Sequence, residues 1–278
     1  MTDTRRVLLI TGCSSGIGYH CAKAMAARGW RVFASCRAEV DCERLRAEGL
    51  ESPRLDYADT ASIEAGLAQV LAASGGRLDA LFNNGAHACP GAVEDLPTDA
   101  LREIFEANVF GWHELTRRVI PVMRAQGFGR IVQNSSVLGF VPYRWRGAYG
   151  TSKFALEGLS RILQLEMADT PIKVILIQPG PVTSKIRVNS IVHFERWVDW
   201  RNSPRAQLYR DTLLARLYDG GPKDRFELGP EAVATVLIKA LEHPNPRPRY
   251  AVTTPTKLMS WVVRLLPDRL LVRILASQ

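Results

Sequence analysis

Along the first two thirds of the chain, short runs of consecutive apolar residues alternate with longer runs whose apolar residues recur every three or four positions. A run apolar on both faces suits a strand covered on both sides, and the three-to-four spacing suits a helix with one face on a core. The pattern predicts strands at Val7–Thr11, Arg31–Cys36, Ser52–Asp56, Leu78–Phe82, Arg130–Asn134 and Lys173–Gln178. It predicts helices over Tyr19–Arg28, Asp41–Glu48, Ser62–Ala73, Thr98–Gln126 with a bend at Pro121, and Tyr149–Ala168. Alternation of this kind implies a parallel sheet with helices on both faces, and right-handed crossovers then give a doubly wound, Rossmann-type α/β fold. Ser184–Leu228 breaks the rhythm, being rich in Arg, Trp and Tyr and passing through Gly220-Gly221-Pro222. We therefore expect one domain over residues 1–278, with 184–228 laid over the sheet and 257–278 as an apolar and basic C-terminal helical extension.

Composition narrows the class. Of 278 residues, 46% are hydrophobic and 23% charged, which excludes intrinsic disorder and leaves ample material for a core. The first residues lack the apolar stretch and cleavage site of a secretory signal, and Leu258–Leu275 is broken by Arg264, Pro267, Asp268, Arg269 and Arg273. A cytoplasmic protein is expected. Five cysteines without CxxC spacing fit a reducing compartment, and the five histidines show no ligand spacing, so no metal is expected. The net charge of +8 comes from scattered arginines rather than a dense basic run, which points away from nucleic acid. Such a field would instead draw in a phosphorylated cofactor.

Directly after the first strand comes Thr11-Gly12-Cys13-Ser14-Ser15-Gly16-Ile17-Gly18, with a helix opening at its end. Glycines at 12, 16 and 18 let the backbone turn sharply and approach a pyrophosphate, while the helix N-terminus offers free N–H groups. At the tip of the second strand an acid would bind the ribose 2′-hydroxyl of NAD and repel a 2′-phosphate. Here stands Cys36-Arg37, so NADP(H) is favoured over NAD(H), with Glu39 nearby pulling the other way. Asp56 is placed either to accept from the adenine amino group or to cap the next helix.

Tyr149 and Lys153 are four apart, so on a helix they share one face. A phenol is a poor base at neutral pH, and a nearby cation favours its ionised form. The pair can then move a proton in alcohol–carbonyl interconversion. Ser136, just past the fifth predicted strand on the sheet's apolar pattern, could hold the substrate oxygen. Asn108 could hold a water linking Lys153 to solvent, or could satisfy buried backbone.

Taken together, Thr11–Gly18, Asn83–Ala86, Asn108, Ser136, Tyr149/Lys153 and Pro179-Gly180 resemble the short-chain dehydrogenase/reductase family over almost the whole chain. The resemblance implies a catalytic Ser136, Tyr149 and Lys153 with Asn108 completing a proton relay. It also implies that Lys153 binds the nicotinamide ribose and that Asn84 and Gly85 line the cofactor cleft. Pro179, Gly180, Val182 and the Thr183 hydroxyl would meet the nicotinamide amide. One departure is Asn83-Asn84-Gly85-Ala86, where the family's usual order ends Ala-Gly. The run Tyr149–Gly158, with Cys36-Arg37 and Pro248-Arg249-Tyr250, is similar to the 17β-hydroxysteroid and retinol dehydrogenase subgroup.

On the substrate side, the family forms a lid from the segment corresponding to 184–228. Its Phe194, Trp197, Trp200, Tyr209 and Tyr218 suit a bulky apolar ligand of steroid, retinoid or long-chain type, its arginines an anionic group; packing on the parent domain is the other reading. Tyr143, Trp145 and Arg146 are expected to line the pocket. Lys257–Ala276 is suited to a membrane surface, to capping the core or to a subunit interface. The expected partners are a small-molecule substrate and further copies of the chain as a homo-oligomer. The competing functions are a 3-oxoacyl thioester reductase and a non-catalytic NADP(H) sensor.

Overall fold

The computed structural model describes residues 4–220 and 224–276, so Gly221-Pro222 and the last two residues of the C-terminal extension lie outside the described residues. Six parallel strands form one sheet in the order β2-β1-β3-β4-β5-β6. They are β1 (Val7–Ile10), β2 (Arg31–Ala34), β3 (Ala80–Asn83), β4 (Gly129–Asn134), β5 (Ile172–Gln178) and β6 (Arg249–Ala251). The chain leaves β1 toward β2 and returns across it to β3, with Ile10 paired to Ala34 on one side and to Phe82 on the other. The connections thus depart in opposite directions, and a crevice opens at the carboxyl ends of β1 and β3.

Both faces of the sheet are covered. Leu8, Ile10, Val132 and Ile175 point to one core, closed by Met25 of helix α1 (Gly16–Ala27) and Leu237 of a late helix (Glu231–Glu242). Leu9, Leu81, Ile131 and Val174 point to the other, where they meet Ile63, Trp112 and Leu156. Parity along the strands accounts for this division, and each buried Leu or Ile contributes about 1.5–3 kcal/mol. Helix α2 (Glu39–Ala47) follows β2, and α3 (Thr60–Ser74) precedes β3.

Two expectations are corrected, and one strand is added. Ser52–Asp56 is no strand of the sheet: it meets β2 only through isolated bridges, Phe33 with Glu51 and Cys36 with Arg54. Pro53 has no N–H to donate, so the ladder cannot run through it. Arg249–Ala251 is a strand although none of its three residues is buried. The long helix is divided at Glu106–Phe110, a π turn between α4 (Thr98–Phe105) and α5 (Gly111–Ala125), while Pro121 lies within α5.

Helix α6 (Gly147–Glu166) leads to β5, after which the chain departs from the sheet through α7 (Ile186–Asn189), α8 (Ile191–Trp197), α9 (Ala206–Leu208), a π turn (Tyr209–Leu214) and α10 (Ala215–Tyr218). Phe194 and Tyr209 are fully buried in a third core with Leu96, Ile104 and Ala148, and Trp145, Trp197 and Trp200 pack against it. The Tyr209 hydroxyl donates to Asp95 Oδ2 (2.8 Å) and accepts from the Ala92 N–H (2.7 Å), which anchors the segment. Phe194, Trp197, Trp200 and Tyr209 thus pack on the domain, while Tyr218 is exposed. Helix α11 (Glu231–Glu242) closes the first core, and α12 (Thr254–Leu265) and α13 (Asp268–Ala276) follow β6. No residue of α13 is buried, so it does not cap the core. Among the described residues no helix is long and apolar enough to cross a membrane.

Candidate active site

The loop after β1 is built for close approach. Gly12 has φ +68°, and a Cβ there would fall 2.4 Å from Gly85 Cα; a Cβ at Gly18 would fall 2.4 Å from the Gly12 carbonyl oxygen. Only glycine fits either position. Ser15 is the N-cap of α1 and makes no side-chain capping bond, so the first N–H groups of the helix remain open to an anion. Ser14, Ser15, Gly16 and Ile17 line a cavity of about 330 Å³ at the crevice, together with Gly12 across from Gly85.

Thr11 is not part of that lining. Its hydroxyl is buried, 2.7 Å from the Tyr57 hydroxyl, and accepts from the N–H groups of Asn84 (2.9 Å) and Gly85 (3.2 Å). Because Tyr57 donates its single proton to Asn83 Oδ1 (2.5 Å), Thr11 is the donor to Tyr57. Asn83 Nδ2 in turn donates to Gln133 Oε1 (2.9 Å) and Thr116 Oγ1 (3.0 Å). This satisfied polar chain beneath the crevice fixes the ends of β1, β3 and β4 to one another.

Asn84 pins the glycine loop from the other side. Its Nδ2 donates to the carbonyls of Thr11 (2.9 Å) and Gly12 (3.3 Å), so its Oδ1 faces Asn134 and accepts from Asn134 Nδ2 (2.8 Å). Gly85 stands where the family carries alanine, and its carbonyl accepts from Trp112 Nε1 (2.7 Å). Asn134 also bears on Lys153: its backbone carbonyl accepts from Nζ at 2.9 Å. The sequence reading passed over Asn134. Its position at the carboxyl end of β4, two residues before Ser136, was the available signal.

Ser136, Tyr149 and Lys153 meet in the cavity lining, which also includes Pro179, Gly180 and Val182. Ser136 follows β4, its Oγ accepting from the Leu138 N–H (3.1 Å), with the Tyr149 phenol nearby. Burial pushes that phenol up to about 12, against the pull of Ser136 and Arg146. Lys153, one helical turn on, is fully buried, with Nζ 4.2 Å from the centre of the Trp112 ring and 5.6 Å from that of Tyr149. Burial draws its ammonium down to about 7, opposed by Glu157.

Of the other expected residues, all but Arg146 lie off the cavity. Asn108 sits in the π turn and clasps the backbone of His87, accepting from its N–H (3.1 Å) and donating to its carbonyl (2.9 Å). A further bond to Ser152 Oγ (3.2 Å) ties it to α6. Arg37 is exposed at the tip of β2, and Glu39 is engaged by Arg46 (2.6 Å). Asp56 accepts from the Ala58 N–H (3.1 Å) in a turn, and the cap of α3 is Asp59 instead. The Thr183 hydroxyl donates to Glu227 (2.6 Å). Tyr143 is exposed, and Trp145 stacks on Tyr209 with ring centres 4.5 Å apart; Arg146 alone of the three lines the cavity.

All five cysteines are buried and free. Two histidines without ligand spacing do come together: His87 stacks on His193 at 4.2 Å beside Glu103, their ligand atoms lying within 4.8 Å of one another. Glu103 is already taken up by His193 (2.7 Å), Arg196 (3.0 Å) and Trp197 (3.1 Å). The group ties α8 to α4.

Residues 6–192 match the family described as short chain dehydrogenase. The chain is 35% identical over 271 residues to an uncharacterized oxidoreductase, YbbO, of Escherichia coli K12, covering 98% of this chain and 94% of that one. It is 32% identical to human 17-beta-hydroxysteroid dehydrogenase type 1, covering 90% of this chain and 78% of the human one. A solved short chain dehydrogenase/reductase from Burkholderia phymatum, in complex with NAD, superposes with a TM-score of 0.78 at 27% identity, covering 95% of this chain and 94% of its own.

Proposed function

The chain belongs to the short-chain dehydrogenase/reductase family and is an NAD(P)(H)-dependent oxidoreductase of alcohols and carbonyls; we propose that it prefers NADP(H) and that Tyr149 is its acid and base. One observation carries the reading: the glycine loop, the uncapped start of α1 and the Ser136–Tyr149–Lys153 group converge on a single cavity.

The loop Gly12–Ile17, which Gly12 and Gly18 let pack tightly and which leaves the first N–H groups of α1 open on the cavity, fits the pyrophosphate of a dinucleotide lying against the first turn of that helix. When bound, the nicotinamide supplies or accepts the hydride. The chain does the rest. Ser136 Oγ holds the substrate oxygen, and the phenol of Tyr149 gives its proton to that oxygen in reduction and takes it back in oxidation. Lys153, fixed by the Asn134 carbonyl, stabilises the phenolate as it forms. Through Asn84 and Asn134, the glycine loop and the ammonium are held in one register. Asn108 sets the backbone at His87 and the turn of α6 that carries the pair. Leu138, Ala88 and Ile186 give the cavity an apolar side for a hydrocarbon part of the substrate.

The cofactor preference rests on charge. Arg37 stands at the tip of β2, and Arg44, paired with Glu48 (2.8 Å) and Asp41 (3.4 Å), gives Nη2 to the Ser14 carbonyl (2.7 Å), while Glu39 is taken up by Arg46. A 2′-phosphate would meet two guanidinium groups there. The test is oxidation of NADPH and NADH over a panel of aliphatic ketones, steroids, retinoids and 3-oxoacyl thioesters, with wild type and Arg37→Gln. Wild type should favour NADPH, and the substitution should cut that preference by about tenfold or more. A preference for NADH, unmoved by the substitution, would overturn it.

A further inference from the structure

The cavity's lining from the segment after β5 is cationic rather than aromatic. From the segment between β5 and α11 the lining residues include Lys185, Ile186, Arg187, Asn189 and Ser190, and none of Phe194, Trp197, Trp200, Tyr209, Tyr218 and Phe226. Among the described residues, those rings therefore do not line this cavity. Arg146 belongs to the same lining, three residues before Tyr149.

Arg146 is half-buried, and among the described residues no carboxylate and no hydrogen-bond acceptor takes its guanidinium. Its charged neighbours are Arg216 and Arg187, and burial together with those two cations disfavours its own charge. Arg187 gives Nη1 to the Gly220 carbonyl, and Arg216 gives Nη2 to Asp224 (2.8 Å) while its Nε is buried without a partner. A guanidinium cannot shed its proton to escape such a site, so its neutralisation requires an anion. The backbone that aims Arg146 is itself held in place. Trp145 has φ +66°, rare for so large a residue, and is kept there by the Gly91 N–H on its carbonyl (3.1 Å) and by the Tyr209 ring.

Building on the reading of this cleft as an alcohol–carbonyl site, we propose that its substrate carries a carboxylate or a similar oxyanion, which Arg146 and Arg187 hold while the reacting oxygen meets Ser136 and Tyr149. Leu138, Ala88 and Ile186 take the apolar remainder, so the substrate class is an amphiphilic oxo or hydroxy acid. The anion is not the cofactor's pyrophosphate. That group has its own cradle at the glycine loop, and Lys185, whose neighbour Ser184 lies beside Gly16, serves that side of the cavity.

Binding tests this without requiring turnover. Calorimetric titration of wild type, Arg146→Gln and Arg187→Gln with decanoate, methyl decanoate and decan-1-ol would be run with NADPH present and absent. Wild type should bind decanoate about tenfold or more tighter than the two neutral ligands. Each substitution should remove most of that advantage, leave the neutral ligands unaffected and leave NADPH affinity unchanged. Equal binding of acid and alcohol by wild type overturns the proposal, as does an acid preference that survives in both variants. A loss of NADPH affinity in Arg146→Gln with the acid preference intact also overturns it, since the arginine would then serve the cofactor. Failure of free medium-chain oxo acids, as well as of the neutral ketones, to turn over, with decanoate still preferred, would strike the oxidoreductase reading and leave the anion site standing. If Arg146→Gln does not fold, Arg187→Gln decides.

Discussion

Replacing Lys153 by Met should change how stability depends on pH. The side chain is 1% exposed, and burial lowers its ammonium from 10.5 to about 7. Between those values the unfolded chain holds a proton on Lys153 that the folded chain has released. Unfolding then takes up a proton, and stability rises with pH through the window. At about 1.36 kcal/mol per pH unit, the whole fall corresponds to about 5 kcal/mol. The bond from Nζ to the Asn134 carbonyl and the contact with the Trp112 ring favour the charged form and work against it. The expected gain is therefore about 2–5 kcal/mol. Met fills much the same volume and carries no charge, so it removes the dependence without opening a large cavity. Urea unfolding of cofactor-free wild type and Lys153→Met, from about pH 6.5 to about 10.5, gives the difference at each pH. Wild type should gain on the variant as pH rises. A difference that stays flat, or falls, would refute a depressed lysine in this site.

Three other outcomes follow from the same geometry. Gly18→Ala places a Cβ 2.4 Å from the Gly12 carbonyl and 2.7 Å from Asn84 Nδ2, so equilibrium binding should show NADPH affinity falling by about tenfold or more while the circular dichroism of the fold is kept. Tyr57→Phe removes the hydroxyl between Thr11 and Asn83 and strands a buried Asn83 oxygen, which should cost about 1–3 kcal/mol in urea unfolding. With the Tyr149 phenol held high by burial, initial rates of alcohol oxidation, which needs the phenolate, should rise with pH across the neutral range. Ketone reduction, which needs the phenol, should not rise with it.

The parts of the fold legible in the sequence were those in which one strong pattern acts alone. The glycine loop and the Tyr149–Lys153 pair are local, and strand–loop–helix order places them at one end of the sheet. The misses have tertiary causes. Leu50 and Leu55 give Ser52–Asp56 the look of a strand, but Pro53 interrupts its hydrogen bonding to β2. Arg249–Ala251 becomes a strand because β5 offers a free edge, with Leu176 accepting a partner that is not itself apolar. The π turn at Asn108 leaves no mark in the apolar periodicity, which continues through it. Trp145, Phe194 and Tyr209 are as apolar as a ligand pocket demands, and only the structure shows them packed on one another. The unpartnered state of Arg146 is a property of its surroundings, and no spacing reveals it.

Transient kinetics of NADPH oxidation, with the best ketone of the panel, should be compared in wild type and Tyr149→Phe at saturating cofactor. The account predicts a fall of about a hundredfold to ten-thousandfold in the variant, with NADPH bound as tightly as before. A rate within about tenfold of wild type would contradict it, because proton transfer would then not pass through Tyr149.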